Sequence, residues 1–263
     1  MYIGTITCSY FLRIYDYNPP KDFNWGDMSA KWRAEFTFDD FVGLAKEIYD
    51  LGCNSLEIWE PTFSFTKYSL DDARKLKAEL DKIGYTKIVY CIGGWTGDSA
   101  AAVEPSYAFA QALGADTVVG CIQQPEKILP ILEEAGKKYG IRYAIENHPA
   151  PNLCSPEEIA SAIEPYEYVG ANIDTGFFNA LGFDLIKTYE LLKPKLYHTH
   201  LKDTKPGNFD CYPIGDGSAQ IAELLKLYTR DGYKYMLSVE LESETEATPG
   251  LQKSLDYIKS FLG

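Results

Sequence analysis

Residues 168–202, YVGANIDTGFFNALGFDLIKTYELLKPKLYHTHLK, contain the pattern that decides the fold. A short apolar run at 168–174 is followed by a longer amphipathic stretch, and a second short run follows at 195–202. A strand, a helix and another strand in this order are typical of a βαβ unit in a parallel sheet.

The same alternation extends along the whole chain. Strand candidates are YIGTITC (2–8), NSLEIW (54–59), TKIVYCI (86–92), DTVVGCI (116–122), RYAIENH (142–148), YVGANID (168–174), KLYHTHLK (195–202) and YMLSVEL (235–241). Helix candidates lie between them, for instance Pro125 to Tyr139, whose apolar residues share one face. Eight alternations without a glycine-rich first turn favour a closed (β/α)8 barrel over an open doubly wound sheet. The 263 residues fit one barrel, so we expect a single domain over 1–263.

Composition narrows the classes of partner. The net charge of −13 would repel a nucleic acid backbone, so no nucleic acid partner is expected. No run of about 18 apolar residues and no basic segment followed by an apolar one is present, which predicts a cytoplasmic protein without a membrane partner. The six cysteines form no CxxC pair, and four fall in or beside strand candidates, which predicts small buried hydrophobes rather than disulfides.

Two connections exceed the usual length of a barrel loop. The segment Ser9 to Glu35 is rich in aromatic residues and contains Pro19-Pro20, and Asp203 to Gly217 contains two glycine turns. We expect both to be long loops after strands 1 and 7, where long loops are usually functional.

Strand parity places ionisable residues inside the barrel. If the apolar residues of each strand face the helices, the inward residues are Glu146 and His148 on strand 5, Asp174 on strand 6, His200 on strand 7 and Glu240 on strand 8. All lie near the carboxyl ends of their strands, where barrel enzymes carry their sites. Each acid taken alone could equally cap the next helix or pair with a lysine.

Three inward carboxylates so close together would repel one another, and burying them without a counter-ion costs several kcal/mol per charge. We therefore predict one divalent metal ion between Glu146, Asp174, His200 and Glu240. Mn²⁺, Mg²⁺, Co²⁺ and Zn²⁺ all suit oxygen and imidazole ligands, and the choice among them stays open. His198 is expected to pack or hydrogen-bond inside the barrel.

Several motifs carry a family resemblance that covers most of the chain. They are AIENH (144–148), NIDTG (172–176), HTHLKD (198–203), YPIGDGSAQI (212–221) and DGYKYMLSVELE (231–242). Together they resemble the xylose isomerase-like TIM-barrel superfamily of sugar isomerases and epimerases, which also contains endonuclease IV. The resemblance implies that Glu146, Asp174, His200 and Glu240 bind metal. It also implies that Glu146 and Glu240 move a proton on either side of the sugar.

Departures from the family pattern narrow the activity. The resemblance to endonuclease IV would imply a site in which many histidines hold three zinc ions. This chain is acidic and has only three histidines, so a DNA-repair activity is disfavoured. Ketose 3-epimerases usually have a histidine and an arginine where this chain has Phe177 and Pro206. That difference argues against a free-ketose 3-epimerase, although Lys202 or Lys205 could partly replace the arginine.

The leading prediction is a metal-dependent isomerase or epimerase of a sugar or sugar derivative, acting through a metal-bound enediolate. The aromatics of the strand 1 loop are expected to pack on the sugar and exclude water. The residues expected to contact substrate are Glu57, Trp59, Trp95, Lys202 and Asp203. Core packing is an equally good interpretation of Trp95.

Two alternatives remain open. A lyase or dehydratase acting on a keto-inositol or a 3-oxo-glycoside would use the same proton abstraction and then expel a leaving group, which His148 could protonate. In an isomerase, His148 would instead hydrogen-bond to a metal ligand. The second alternative is a barrel that binds a sugar without catalysing a reaction on it, and such a protein would not need both glutamates. Substrate identity, phosphorylation and homo-oligomer formation also stay open.

Overall fold

The computed structural model describes residues 1–95, 97 and 99–262. Eight parallel strands close into a barrel, as the alternation predicts. They are β1 Tyr2–Ile6, β2 Ser55–Trp59, β3 Lys87–Trp95, β4 Thr117–Ile122, β5 Arg142–Glu146, β6 Val169–Asp174, β7 Leu196–Leu201 and β10 Met236–Val239. Neighbours in the barrel follow chain order, and β10 closes it against β1, with Gly4 opposite Ser238.

Helices surround the barrel. They are α1 Trp25–Glu35, α2 Phe38–Asp50, α3 Leu70–Ile83, α4 Ala100–Ala112, α5 Pro125–Tyr139, α6 Pro156–Ile163, α7 Thr175–Ala180, α8 Leu185–Leu192, α9 Ile221–Asp231 and α10 Thr248–Leu262. The predicted helix Pro125–Tyr139 is confirmed at both ends. No helix in the described part of the chain is long and apolar enough to span a bilayer.

Local sequence sets many helix ends. Thr37, Ser69 and Ser155 each accept a hydrogen bond from a backbone N–H three residues later, and the acid at that position bonds back to the cap. These capping boxes satisfy amides that the first turn leaves unpaired. Gly84 and Gly140 end α3 and α5 with positive φ angles, which glycine adopts without steric cost.

The expectation of two long loops is wrong in part. A 3-10 helix over Thr7–Tyr15 and helix α1 occupy much of the segment after β1. Asn24 caps α1, and the indole N–H of Trp32 donates to the Phe11 carbonyl at 2.8 Å, so local capping and aromatic packing order the segment. After β7, strands β8 Asp203–Lys205 and β9 Asn208–Tyr212 form a two-stranded antiparallel hairpin.

One irregularity in the barrel affects the site. The register between β3 and β4 shifts between Cys91 and Gly94, and Gly93 there has a φ of 77°. A bulge of this kind interrupts the alternation of side chains along a strand. Residues of β3 beyond Cys91 therefore no longer follow simple parity.

Candidate active site

Four inward residues converge at the carboxyl end of the barrel. One ligand atom from each of Glu146, Asp174, His200 and Glu240 lies within 4.8 Å of the others. His200 Nδ1 lies 2.8 Å from Glu146 Oε1 and 3.1 Å from Glu240 Oε2. All four residues are buried, and they come from β5, β6, β7 and the residue after β10. The convergence that parity predicts is present, while the role of these residues as ligands stays a proposal.

Two asparagines hold the backbone of this cluster in place. The side chain of Asn147 accepts from the Asp174 N–H at 2.7 Å and donates to the Asp174 carbonyl at 3.1 Å. Asn172 accepts from the N–H of His200 at 3.0 Å. Both asparagines are fully buried, so these hydrogen bonds fix β6 and β7 relative to β5 at the level of the site.

Asp174 has two oxygens in different roles. Its Oδ1 accepts from the N–H of Phe177 at 2.8 Å and caps α7, as a strand-end acid commonly does. Its Oδ2 is buried and has no hydrogen-bond partner, and Nζ of Lys202 lies 4.0 Å from it. A buried carboxylate oxygen without a donor is costly unless a cation satisfies it.

The electrostatics of Asp174 point the same way. Burial raises the pKa of Asp174 well above its ordinary value; Lys202 opposes this rise, and the charges of Glu240 and Glu146 add to it. A bound cation would stabilise the anionic form of such a carboxyl. The unpaired Asp174 oxygen and the mixed carboxylate and imidazole donor set therefore fit a divalent ion.

A buried glutamate beneath the cluster orients the imidazole. Glu57 Oε1 lies 3.0 Å from His200 Nε2, and Oε2 lies 2.9 Å from His198 Nε2. Burial raises the pKa of Glu57, but the two imidazoles outweigh it and hold that pKa well below its usual range. With Nε2 of His200 donating to a carboxylate, Nδ1 is the nitrogen that faces Glu146 and Glu240.

Lys202 supplies a buried positive charge beside the cluster. Its Nζ lies 2.8 Å from Glu242 Oε2, 3.7 Å from Glu240 Oε1 and 4.0 Å from Asp174 Oδ2. Burial opposes ionisation of Glu240, yet Lys202 and His200 lower the pKa of that carboxyl to about 2. Glu240 is therefore a carboxylate at neutral pH and can accept a proton.

A cavity of about 500 Å³, the inner cavity, opens above the cluster. Its lining includes the two glutamates Glu146 and Glu240 together with Trp59, His148 and Lys202. This volume lies within the range of small-molecule sites. The sequence assigned all five of these residues to the site, and the structure places them around one cavity.

The imidazole of His148 is held in a defined orientation. Nδ2 of Asn152 lies 3.3 Å from His148 Nδ1 and also donates to the Pro149 carbonyl at 3.1 Å. Because the amide nitrogen is the donor in both contacts, Nδ1 of His148 accepts and Nε2 carries the ring proton. His148 thus offers an N–H at the wall of the inner cavity.

Three residues expected to contact substrate lie elsewhere. Trp95 is 5% exposed and borders a separate cleft with Arg33 and Glu60, because the bulge at Gly93 interrupts the parity that would turn its ring inward. Glu57 is fully buried beneath the histidines.

The third is Asp203, whose carboxylate accepts from the N–H groups of Gly215, Gly217 and Ala219. It therefore anchors the loop after the hairpin instead of facing the inner cavity.

Trp25 belongs to the aromatic segment after β1 that was expected to pack on the sugar, and it lies on the inner cavity 6.4 Å from Trp59 between ring centroids. Sequence reasoning missed Glu242, the partner of Lys202. Its position two residues after Glu240 was a usable signal, since parity places both on one side.

The chain belongs to the family described as xylose isomerase-like TIM barrel, whose profile matches residues 45–261. The barrel and the site geometry agree with this assignment. No curated protein matches the sequence significantly.

Solved structures with the same fold include three sugar epimerases. L-ribulose 3-epimerase is 14% identical, with a TM-score of 0.75 over 88% of this chain and 91% of that chain. D-psicose 3-epimerase with D-tagatose from Clostridium cellulolyticum H10 is 16% identical, with a TM-score of 0.75 over 100% and 99%. The 3-keto-D-glucoside 4-epimerase from E. coli is 15% identical, with a TM-score of 0.72 over 99% of each chain. At these identities the likeness defines the fold.

Proposed function

We propose that this chain is a divalent-metal-dependent isomerase or epimerase that acts on a sugar or sugar derivative. The observation that carries the proposal is the convergence of Glu146, Asp174, His200 and Glu240 under a cavity, with a buried Asp174 oxygen that lacks a donor. The epimerase activities named for structures of the same fold support this class of reaction.

These four residues would hold one ion, and Mn²⁺, Mg²⁺, Co²⁺ and Zn²⁺ all suit their donor atoms. When bound there, a divalent ion supplies Lewis-acid polarisation of a substrate carbonyl, which acidifies the neighbouring C–H. Glu57 fixes the His200 ring so that Nδ1 is presented to the site. Asn147 and Asn172 hold the strands that carry Asp174 and His200.

The two cavity-lining glutamates are the acid and the base. One of them removes the proton beside the carbonyl, and the other returns a proton from the opposite face or to the adjacent carbon. Lys202 and His200 lower the pKa of Glu240 despite its burial, so this residue is ionised and has a carboxylate oxygen that can take a proton. Return to the same carbon from the opposite face gives an epimer. Return to the adjacent carbon gives an isomer, with the proton of the neighbouring hydroxyl passing to the former carbonyl oxygen.

Aromatic and buried groups protect the intermediate. Trp59, Trp25 and Phe177 form much of the apolar wall of the inner cavity and limit the access of water to it. Lys202 sits at the same wall, with its side chain packed over the Phe177 ring at 4.6 Å.

A lyase is the second candidate, and His148 favours it. The imidazole of this residue lines the inner cavity two residues after Glu146, where it could protonate a leaving group. In that reaction, the electrons left by proton removal expel a group one carbon further along, and the product is lighter by that group.

The test is a deuterium exchange assay on metal-loaded protein with a panel of ketoses and 3-keto-glucosides. In heavy water an isomerase gives product with deuterium at the reacting carbon and otherwise the mass of the substrate, whereas a lyase gives a lighter product. E240Q keeps the shape and one oxygen but cannot accept a proton, so we expect turnover to fall at least about 100-fold.

The metal content of E240Q, measured by elemental analysis, separates loss of the base from loss of the ion. E47Q is a matched control, because Glu47 pairs with Arg13 on the outside of the barrel. Near-normal turnover of E240Q with a full complement of metal would exclude Glu240 as the proton acceptor.

A further inference from the structure

A second, larger cleft continues outward from the inner cavity. This outer cleft has a volume of about 880 Å³ and shares Trp25 and Glu242 with the inner cavity. Three segments outside the barrel strands form its walls: the stretch from the 3-10 helix to the start of α1, strand β9 of the hairpin, and residues 242–244 after β10. A single ligand could therefore extend from one compartment into the other.

The aromatic rings form a continuous surface between the two compartments. On one side Trp59 of the inner cavity meets Trp25 edge-on at 6.4 Å, and Trp25 stacks on Phe11 of the outer cleft at 4.9 Å. On the other side Phe177 of the inner cavity lies 6.0 Å from Phe209 of the outer cleft. Flat rings along both walls suit the apolar faces of successive sugar rings.

The polar groups of the outer cleft select the chemistry of the ligand. Its lining includes the carboxylates Asp210, Glu242 and Glu244, and no lysine or arginine is among the residues described there. Carboxylates accept hydrogen bonds from hydroxyl groups. They repel a phosphate, and the nearby ammonium of Lys202 is already paired with Glu242 at 2.8 Å.

We propose that the substrate is a non-phosphorylated glycoside of two sugar units, with the reacting ring in the inner cavity and the second sugar in the outer cleft. This inference rests on the proposed isomerase or epimerase function. Aromatic faces combined with hydroxyl-accepting carboxylates fit a sugar, whereas a plain aryl group would leave the carboxylates unused.

The glycosidic bond restricts where the substrate carbonyl can lie. Where the reacting ring supplies its anomeric carbon to the glycosidic bond, as both rings do in sucrose and trehalose, that carbon is locked, so the carbonyl that acidifies the C–H must lie at another ring carbon. The substrate is thus a keto-glycoside that arrives already oxidised. One glutamate takes the proton beside this carbonyl and the other returns a proton to the ring, so the glycosidic bond is kept and no oxidant is consumed.

The experiment compares methyl 3-keto-α-D-glucoside with 3-ketosucrose and 3-ketotrehalose. Deuterium incorporation by the metal-loaded enzyme gives kcat/KM for each, and calorimetry measures binding of the unoxidised parents. We expect kcat/KM to be at least about tenfold higher for a two-sugar compound than for the methyl glycoside, with tighter binding of its parent. The 3-keto derivative of p-nitrophenyl α-D-glucoside tests an aryl occupant.

Two variants test the walls of the outer cleft. Phe209 is 46% exposed and Glu244 is exposed, so F209A and E244Q should fold normally. We expect each to remove most of the advantage of the two-sugar compound in kcat/KM and in binding. L191A is the control, because Leu191 is 43% exposed on α8, outside both compartments.

The outcomes separate this inference from the proposed function. Equal kcat/KM for the methyl and two-sugar compounds, or a clear preference for the aryl compound, overturns the second-sugar assignment and leaves the epimerase intact. Selective binding of the two-sugar parents without exchange in any keto-sugar supports the cleft assignment and overturns the proposed reaction. Absence of both binding and exchange overturns both.

Discussion

Replacing Glu57 with glutamine should separate the orientation of His200 from the packing around it. Glu57 is fully buried, and its two oxygens lie 2.9 Å and 3.0 Å from Nε2 of His198 and His200. A glutamine of the same shape has one oxygen and one NH2 group. It can accept from one imidazole, while its NH2 faces the other.

Two effects of different size follow. A hydrogen bond to a charged group contributes roughly 1.5 to 3 kcal/mol, and E57Q loses about one, so the free energy of unfolding should fall by a similar amount. When the NH2 faces His200, the ring proton moves to Nδ1, the atom that faces Glu146 and Glu240. Loss of such an orienting partner typically lowers metal affinity about 10- to 100-fold.

The assay is a titration of Mn²⁺ or Zn²⁺ against a competing chelator, together with chemical denaturation. E133Q is a matched control, because Glu133 is buried and accepts from the N–H groups of Glu167 and Tyr168 far from the site. We expect E133Q to lose stability but bind metal normally. If E57Q showed wild-type metal affinity and only lower stability, Glu57 would be a structural residue and the orientation argument would fail.

Three further predictions address the other parts of the site. H148N at saturating metal should retain most of the exchange rate if the enzyme is an isomerase, whereas a loss of roughly 10²- to 10⁴-fold would identify a leaving-group acid and favour the lyase. D174N keeps the oxygen that caps α7 but places an amide NH2 at the position of the unpaired Oδ2. Elemental analysis should therefore find a metal content well below that of the wild type, while the melting temperature changes little. Full metal occupancy of D174N would show that Asp174 is not a ligand. T199V removes a hydroxyl that Tyr228 and Tyr233 contact at 2.9 Å and 3.0 Å on the outer side of β7. It should lower the free energy of unfolding by about 1 to 3 kcal/mol and leave metal binding unchanged. Altered metal binding would show that the two sides of β7 are coupled.

The regular strands of the barrel made the candidate cluster predictable. Alternation along a strand is fixed by backbone geometry, so the apolar positions of β5, β6, β7 and β10 determine which residues face inward. Glu146, Asp174, His200 and Glu240 follow this rule and meet. Lys202 follows it as well, since it is two residues beyond His200 and lies at the same cavity.

Strand alternation does not predict the position of a side chain where the strand is irregular or where the side chain contacts residues far away in the sequence. Trp95 follows a bulge at Gly93, so its ring does not face the inner cavity. Asp203 turns to the backbone of the loop at Gly215, which no local pattern indicates. Trp25 lies at the cavity, where the aromatic composition of its segment pointed, but it is carried by helix α1 and not by the expected loop.

The sequence alone thus determined the barrel, the cluster of inward acids and the acidic, non-basic character of the molecule, because hydrophobic period, strand parity and charge are local properties of the chain. Only the tertiary structure decided which nitrogen of His200 faces the site, that Glu57 bridges His198 and His200, and that an aromatic cleft extends the inner cavity. Each of these depends on contacts between residues far apart in the chain, as in the pairing of Glu57 with His200 across 143 positions. Such contacts arise when the barrel closes, and no local period encodes them.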